Sequence, residues 1–200
     1  MTQQSSTPLV HACVLAAGLA SRFGQSKLVK TVRGKPLVQH ALLAARESCH
    51  GRVTLVVGHN ADAVTSAGAG LFDHLVNNEH YGDGIGSSIA AGVHACRANA
   101  DAVLILLADQ PLISAAHLQS IITSWSGADN AIVVSSFDGI VSPPILFPIN
   151  TFDALCALSG DMGAKAILSD TAFDVTRIEC PQARFDIDTP ADLDYIERDD

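Results

Sequence analysis

Positive charge is scarce in this sequence: 12 Lys and Arg stand against 21 Asp and Glu in 200 residues, a formal net charge of −9. A chain so anionic is repelled by the nucleic-acid backbone and by anionic membrane surfaces, so neither partner is expected. An anionic ligand would have to be met by local cations or by a metal. No apolar run reaches the roughly 18 residues of a membrane span, and Met1–Pro8 is rich in Ser, Thr and Gln without the basic-then-apolar order of a secretory signal. It reads as a disordered tail ahead of a single domain over 9–200. Paired cysteines are missing too. Cys13, Cys49, Cys96, Cys156 and Cys180 are odd in number, widely spaced and without a C-x-x-C pair, which suggests neither a disulfide framework nor a zinc knuckle. Reduced thiols and a cytoplasmic location are the expectation. The eight histidines form no H-x-x-x-H pair, so a histidine zinc site is not indicated either.

What the chain does have is apolar bulk, 48% of its residues, enough for a sizeable core. Continuously apolar runs at Val10–Ala16, Val53–Val57, His74–Asn77, Val103–Ala108 and Ala131–Ser135 predict strands buried on both faces. Between them, helical spacing covers Pro36–Ser48, Ala61–Ala67, Ser88–Ala98 and Ala115–Trp125. Alternation of this kind predicts an α/β fold, a Rossmann-like three-layer αβα sandwich with a mostly parallel sheet and a ligand crevice at the carboxyl ends of its strands. After Ser135 the pattern changes. Phe137-Asp138-Gly139 reads as a turn, and the prolines in Val141–Phe147 predict a small edge hairpin or flap rather than a central strand. Helices over Thr151–Leu158 and Gly163–Leu168, a strand Asp174–Ile178 and a helix from Pro190 complete the expectation.

Chemistry concentrates first in the loop after the first strand, Leu15-Ala16-Ala17-Gly18 through Arg22, Gly24 and Lys27. Glycine lets the backbone approach an anion, oriented N–H groups form a nest, Arg offers forked donors and Lys a mobile charge. The spacing is neither the P-loop G-x-x-x-x-G-K-[ST] nor the dinucleotide G-x-G-x-x-G. By spacing alone it is either a phosphate cradle or an ordinary loop with two solvated cations.

The segment resembles the L-A-A-G-x-x-x-R-[FM]-G-x-x-K-L signature of the nucleotidyltransferases that include the molybdenum cofactor cytidylyl- and guanylyltransferases. Four further stretches match in order: Asn77 through Gly82, Gly86, Ser87, Ser88 and Ile89; Leu107-Ala108-Asp109-Gln110-Pro111; Gly160-Asp161-Met162-Gly163-Ala164-Lys165; and Asp186-Ile187-Asp188-Thr189-Pro190-Ala191-Asp192-Leu193. Lys165 and Ala20 depart from the usual Arg and Ser or Gly. The resemblance implies nucleotide binding by Leu15, Ala16, Ala17, Gly18, Arg22, Lys27, Gly86, Ser87 and Ser88, with Arg22, Lys27 and Asp109 serving catalysis. It also implies CTP rather than GTP, from Ala16-Ala17-Gly18 in place of Ala-Gly-Gly, and a phosphate-bearing acceptor of the molybdopterin type. Transient contact with a molybdoenzyme or its chaperone follows in the same way.

Asp109, at the end of the fourth predicted strand, is a carboxylate costly to bury unless paired or metal-bound. Mg²⁺ commonly uses one or two carboxylates together with substrate phosphates. Asp188 is the second metal candidate, partly by the resemblance. Asp186 and Asp188 are expected to alternate on a strand and to point oppositely, so at most one would face the ligand. Thr189-Pro190-Ala191-Asp192 offers a cap, a first-turn proline and an acid three residues on, so this stretch could equally serve only to start a helix. Pro143-Pro144 and Asp161–Lys165 are candidates for the acceptor side. Asp186-Ile187-Asp188 also matches the Asp-x-Asp of sugar-nucleotide glycosyltransferases by letters, though its place late in the chain and the cations of the first loop count against that class. A non-catalytic cofactor carrier would tolerate loss of Asp109 and Asp188, and both are intact.

Overall fold

The computed structural model describes residues 8–18 and 26–198. The tail read at Met1–Pro8, Pro8 apart, lies outside the described residues. So do Arg22 and Gly24.

The sheet grows outward from its own middle. Strand β1 (Val10–Ala16) is buried at every position and pairs in parallel with β4 (Val53–Val57) on one side and β6 (Ala102–Leu107) on the other. Alternate residues of β1 feed two separate cores, as a period of two requires. Val10, Ala12, Val14 and Ala16 join a core with Leu37, Val38, Leu42, Val64, Leu118 and Ile121 from helices α1 (Leu37–Ser48), α2 (Ala61–Ala67) and α4 (Ala115–Ser124). Cys13 and Leu15 join Ile89, Val93, Phe152 and Leu155 from α3 (Ile85–Cys96) and α5 (Phe152–Cys156) on the opposite face. The result is three layers, as the periodicities predict. Gly92 lets α3 settle directly on Cys13, because any side chain there would overlap the Cys13 thiol.

β5 (His74–Asn77) forms one edge of the sheet, and β9 (Asp174–Glu179) the other. Between β6 and β9 lie β8 (Ile140–Pro148) and β7 (Ala131–Phe137), giving the order β5-β4-β1-β6-β8-β7-β9. Six strands run one way and only β8 is reversed. This corrects the expectation of an edge flap: the proline-bearing strand is interior. Pro143 and Pro144 are tolerated there because no ladder asks for their missing N–H groups. Pairing with β6 stops at Ile105↔Ile145, and pairing with β7 jumps from Val134↔Ile145 to Ser135↔Ser142. Pro143 and Pro144 fall in that gap. Ser135 Oγ donates to Pro144 O at 2.8 Å, so the 2.8 Å contact from His117 Nε2 must be a donation to Ser135 Oγ, which braces the irregularity from α4. The connecting turn has positive φ at Asp138 and Gly139, as a two-residue hairpin loop needs.

A separate two-stranded hairpin, β2 (Thr31–Val32) with β3 (Lys35–Pro36), leads into α1. It carries no apolar alternation long enough to be read in the sequence. Ala164–Ser169 is a 3-10 helix, and α6 spans Pro190–Arg198. The stretch before α6 is not the strand that was expected: Asp186–Thr189 runs outside the sheet, after a 3-10 turn at Pro181–Arg184. The alternation argument for Asp186 and Asp188 therefore does not apply.

Candidate functional site

The chain builds outward from β1 to β4 and β5, then returns to lay β6 on the other side of β1. That reversal opens a crevice at the carboxyl ends of β1 and β6, where ligands of such sheets bind. A cavity of about 350 Å³ lies there. Leu15, Ala16, Ala17 and Gly18 line it from β1, Leu107 and Asp109 from β6, and Ser26 and Lys27 from the 3-10 turn Lys27–Val29. Ala108 N donates to Leu15 O at 3.0 Å, tying the two strand ends together.

Lys27 is the hub. Its Nζ donates to Asp109 Oδ2 at 2.8 Å, to Ile187 O at 2.6 Å and to Asp188 Oδ1 at 3.1 Å. Burial alone would push the ammonium's pKa down, but the Asp109 carboxylate and then Asp188 hold it above the ordinary lysine value. The segment carrying Asp188 is fixed from three sides. Ile187 is fully buried and its N–H donates to Asp109 O at 3.0 Å. The Asp192 carboxylate accepts from Asp188 N at 2.9 Å and from Thr189 N at 2.6 Å, half of a capping box at the start of α6. Burial raises the Asp192 pKa, and these backbone donors more than offset it, leaving the group below its usual value. Asp186 is pushed up, by burial first and then by the charge of Asp109, with Asp188 adding to it. Two carboxylates, Asp109 and Asp188, thus converge on one ammonium, with Asp186 near enough to feel their charge.

Asp109 Oδ1 is buried and has no hydrogen-bond partner. An orphaned carboxylate oxygen beside a second carboxylate is a hard-oxygen donor set, and it fits a hard divalent ion that completes its shell from water and substrate. Among the described residues no group of three or more His, Cys, Asp or Glu is arranged to hold a metal by itself.

The second wall comes from the start of α3. Ser88 lines the cavity, with its Oγ accepting from Asn78 Nδ2 at 3.0 Å. Ser87 turns instead into the loop, donating to His80 O and Gly84 O and accepting from Asn78 Nδ2. Gly86 is buried beneath the turn at 159–162, its N–H donating to Gly160 O at 2.9 Å, and a Cβ there would collide with the backbone of Ser159 and Met162. Of the three, only Ser88 reaches the cavity. His59, Tyr81, Gly84, Ile85 and Asp161 also line it. His59 and Tyr81 carried no motif; the one sequence signal is the position of His59, two residues past the end of β4 at the same carboxyl edge. Pro143 and Pro144 do not line the cavity; they lie beyond the end of the β6 pairing.

The family model described as the MobA-like NTP transferase domain matches residues 12–175. The chain belongs to that family. Among its relatives, purine catabolism protein PucB of Bacillus subtilis (strain 168) is 30% identical over 96% of this chain and 98% of its own length. Nicotine blue oxidoreductase of Paenarthrobacter nicotinovorans is 32% identical over 96% of this chain and 95% of its own. Among solved structures, Rv0371c from Mycobacterium tuberculosis H37Rv superposes with a TM-score of 0.81 at 25% identity, covering 97% of this chain and all of that one. Its complex with manganese gives a TM-score of 0.77 at 24% identity. The mostly parallel α/β sheet is the architecture these neighbours share, and no helix among the described residues of this NTP transferase is long and apolar enough to cross a membrane.

Proposed function

We propose that this NTP transferase moves a nucleoside monophosphate, CMP from CTP, onto a phosphate group of a molybdopterin-type acceptor and releases pyrophosphate. The observation that carries the reading is the junction at Lys27, where the loop after β1, the end of β6 and the segment before α6 meet around two carboxylates at the mouth of a cavity of nucleotide size.

An acceptor phosphate oxygen attacks the α-phosphorus, the bond to the departing pyrophosphate breaks, and no enzyme-bound intermediate is needed. The attacking oxygen is already ionised, so no side chain has to take its proton. What the chain must do is position and neutralise. Asp109 and Asp188 would hold Mg²⁺, with the orphaned Asp109 Oδ1 the donor most in need of it. When bound, the ion supplies charge neutralisation and orientation for the triphosphate. Gly18 and the loop backbone would lie along the phosphates, Lys27 and Arg22 would contact them, and Ser88 would face the ribose and base from the opposite wall. The manganese complex of Rv0371c supports a divalent ion on this fold.

The relatives' names differ in chemistry, so the acceptor and the choice of CTP rest on the likeness to cofactor cytidylyltransferases in Ala16-Ala17-Gly18 and Gly160–Lys165. One relative bears the name of an oxidoreductase, yet the glycines of this loop lack the dinucleotide spacing G-x-G-x-x-G. A transient contact with a molybdoenzyme or its chaperone would pass the product on. The test is a pyrophosphate-release assay with each nucleoside triphosphate and Mg²⁺, with and without molybdopterin cofactor. Release with CTP that depends on the acceptor is expected. Release with GTP instead would reassign the base, and silence with all four triphosphates in the presence of acceptor would overturn the reading.

A further inference from the structure

We propose that the Lys27 ammonium is a built-in stand-in for the divalent ion: it bridges Asp109 and Asp188 while no metal is bound, keeps the segment 186–189 docked, and is released toward the phosphates when the metal takes its place. The inference rests on the functional reading for the last step only. The bridge itself is geometric.

Three observations converge on it. First, one ammonium contacts both candidate metal carboxylates, at 2.8 Å and 3.1 Å. Second, its third bond, to Ile187 O at 2.6 Å, grips the backbone between Asp186 and Asp188, so the cation holds the segment's chain as well as its side chain. Third, the bridge spans elements far apart in sequence: Lys27 follows the loop after β1, Asp109 follows β6, and Asp188 precedes α6. Carboxylates brought this close repel one another. A cation is needed to hold the segment against β6. Lysine suits the task because its charge sits on a flexible stem and can be withdrawn, whereas the planar fork of arginine would be fixed in place. The remaining Asp109 oxygen stays unpaired, since one ammonium cannot satisfy every oxygen around it.

Two cations of like sign cannot share this pocket at full strength, so metal and ammonium compete. Binding of Mn²⁺ alone, followed by the loss of its free paramagnetic signal, should be at least about tenfold tighter in Lys27→Met than in the unaltered protein. Lys30→Met removes the same charge three residues on, and its Mn²⁺ affinity should match that of the unaltered protein. In Lys27→Met without metal, the Ile187 amide should exchange with solvent faster than in the unaltered protein, and saturating Mn²⁺ should restore its protection. Unchanged or weaker Mn²⁺ binding in Lys27→Met, equal tightening in Lys30→Met, or an Ile187 amide indifferent to both lysine and metal would overturn the proposal. A measurement on the unaltered protein guards against a variant that fails to fold: acylation of the Lys27 amine by a small amine-reactive reagent should quicken several-fold when Mn²⁺ is added without nucleotide. No change in that rate would also overturn it. None of these readouts involves turnover. A silent pyrophosphate assay beside a positive exchange result would therefore sink the nucleotidyl-transfer reading and leave the cation exchange standing.

Discussion

At the scale of single residues, Asp109 joins the cavity wall to the Lys27 junction. It lies two residues past the end of the interior strand β6, accepts from the Lys27 ammonium on one oxygen and leaves the other buried and unpaired. Replacing it with Asn keeps the shape and removes the charge. If Asp109 holds the divalent ion as proposed, turnover of Asp109→Asn should fall by roughly 10²-fold or more, because one metal ligand is worth several kcal/mol at the transition state. The variant's circular dichroism and urea midpoint should stay close to those of the parent, and near-parental pyrophosphate release would remove Asp109 from the mechanism. Among candidate residues, those whose place depends on chain position were legible in the sequence: Gly18 follows β1 and Asp109 follows β6, and both line the cavity. Gly86 and Ser87 were not separable from Ser88 by letters, since a helix start shows three neighbours and only the fold decides which one faces the cavity. His59 and Tyr81 were invisible for the same reason. Nothing in Gly58-His59-Asn60 differs from an ordinary strand-to-helix connection until β4 is placed beside β1.

At the scale of elements, the interior parallel strands β1 and β4 were legible because burial on both faces leaves unbroken apolar runs, and they have the expected bounds; β5, an edge strand and mostly exposed, has its expected bounds too. β8 was not, because the rule that bars proline from central strands assumes a continuous ladder, and here the ladder is interrupted at Pro143 and Pro144. The entry ends of β1, β4 and β5 carry a second feature, polar rather than apolar. His11 is buried on β1, its ring nitrogen 2.9 Å from Thr54 Oγ1 on β4 and its ring stacked on His74 of β5. Burial first, then the neighbouring His74, with Arg52 adding and Asp73 opposing, lower its pKa from 6.5 to about 4. The unfolded chain thus takes up a proton at His11 below about pH 6.5, whereas the folded protein does not until about pH 4. Stability from this group is complete above pH 6.5 and is lost progressively toward pH 4, by up to about 3 kcal/mol. Urea denaturation at pH 7 and at pH 4.5 should show that loss, and His11→Gln should show a smaller difference between the two pH values. An identical pH dependence in parent and variant would mean that His11 is not the group responsible.

At the scale of the whole molecule, the segment from Asp186 to the end of α6 acts as a strap across the front of the sheet. Its letters looked like a strand followed by a capped helix. The helix and its Asp192 cap are present, but the strand is replaced by an extended run held by point contacts, which no periodicity can encode. Those contacts are few and specific: Ile187 and Ile196 are buried in the core shared with α1 and α2, Arg33 donates to Ile196 O, and Lys27 holds Ile187 and Asp188. The strap therefore does two separable things, filling core and supplying a carboxylate. Deleting residues 186–200 should abolish pyrophosphate release and cost roughly 3–6 kcal/mol of stability, the worth of two buried isoleucines. Asp188→Ala should lower turnover severely while shifting the urea midpoint by no more than about 1 kcal/mol, because its carboxylate is largely exposed and Asp109 still pairs Lys27. If instead the truncated protein turned over normally, the reactive centre would have to be complete within β1, the loop after it and β6. If Asp188→Ala unfolded as readily as the truncation, the carboxylate rather than the isoleucines would be what holds the strap, and the separation of the two roles would fail.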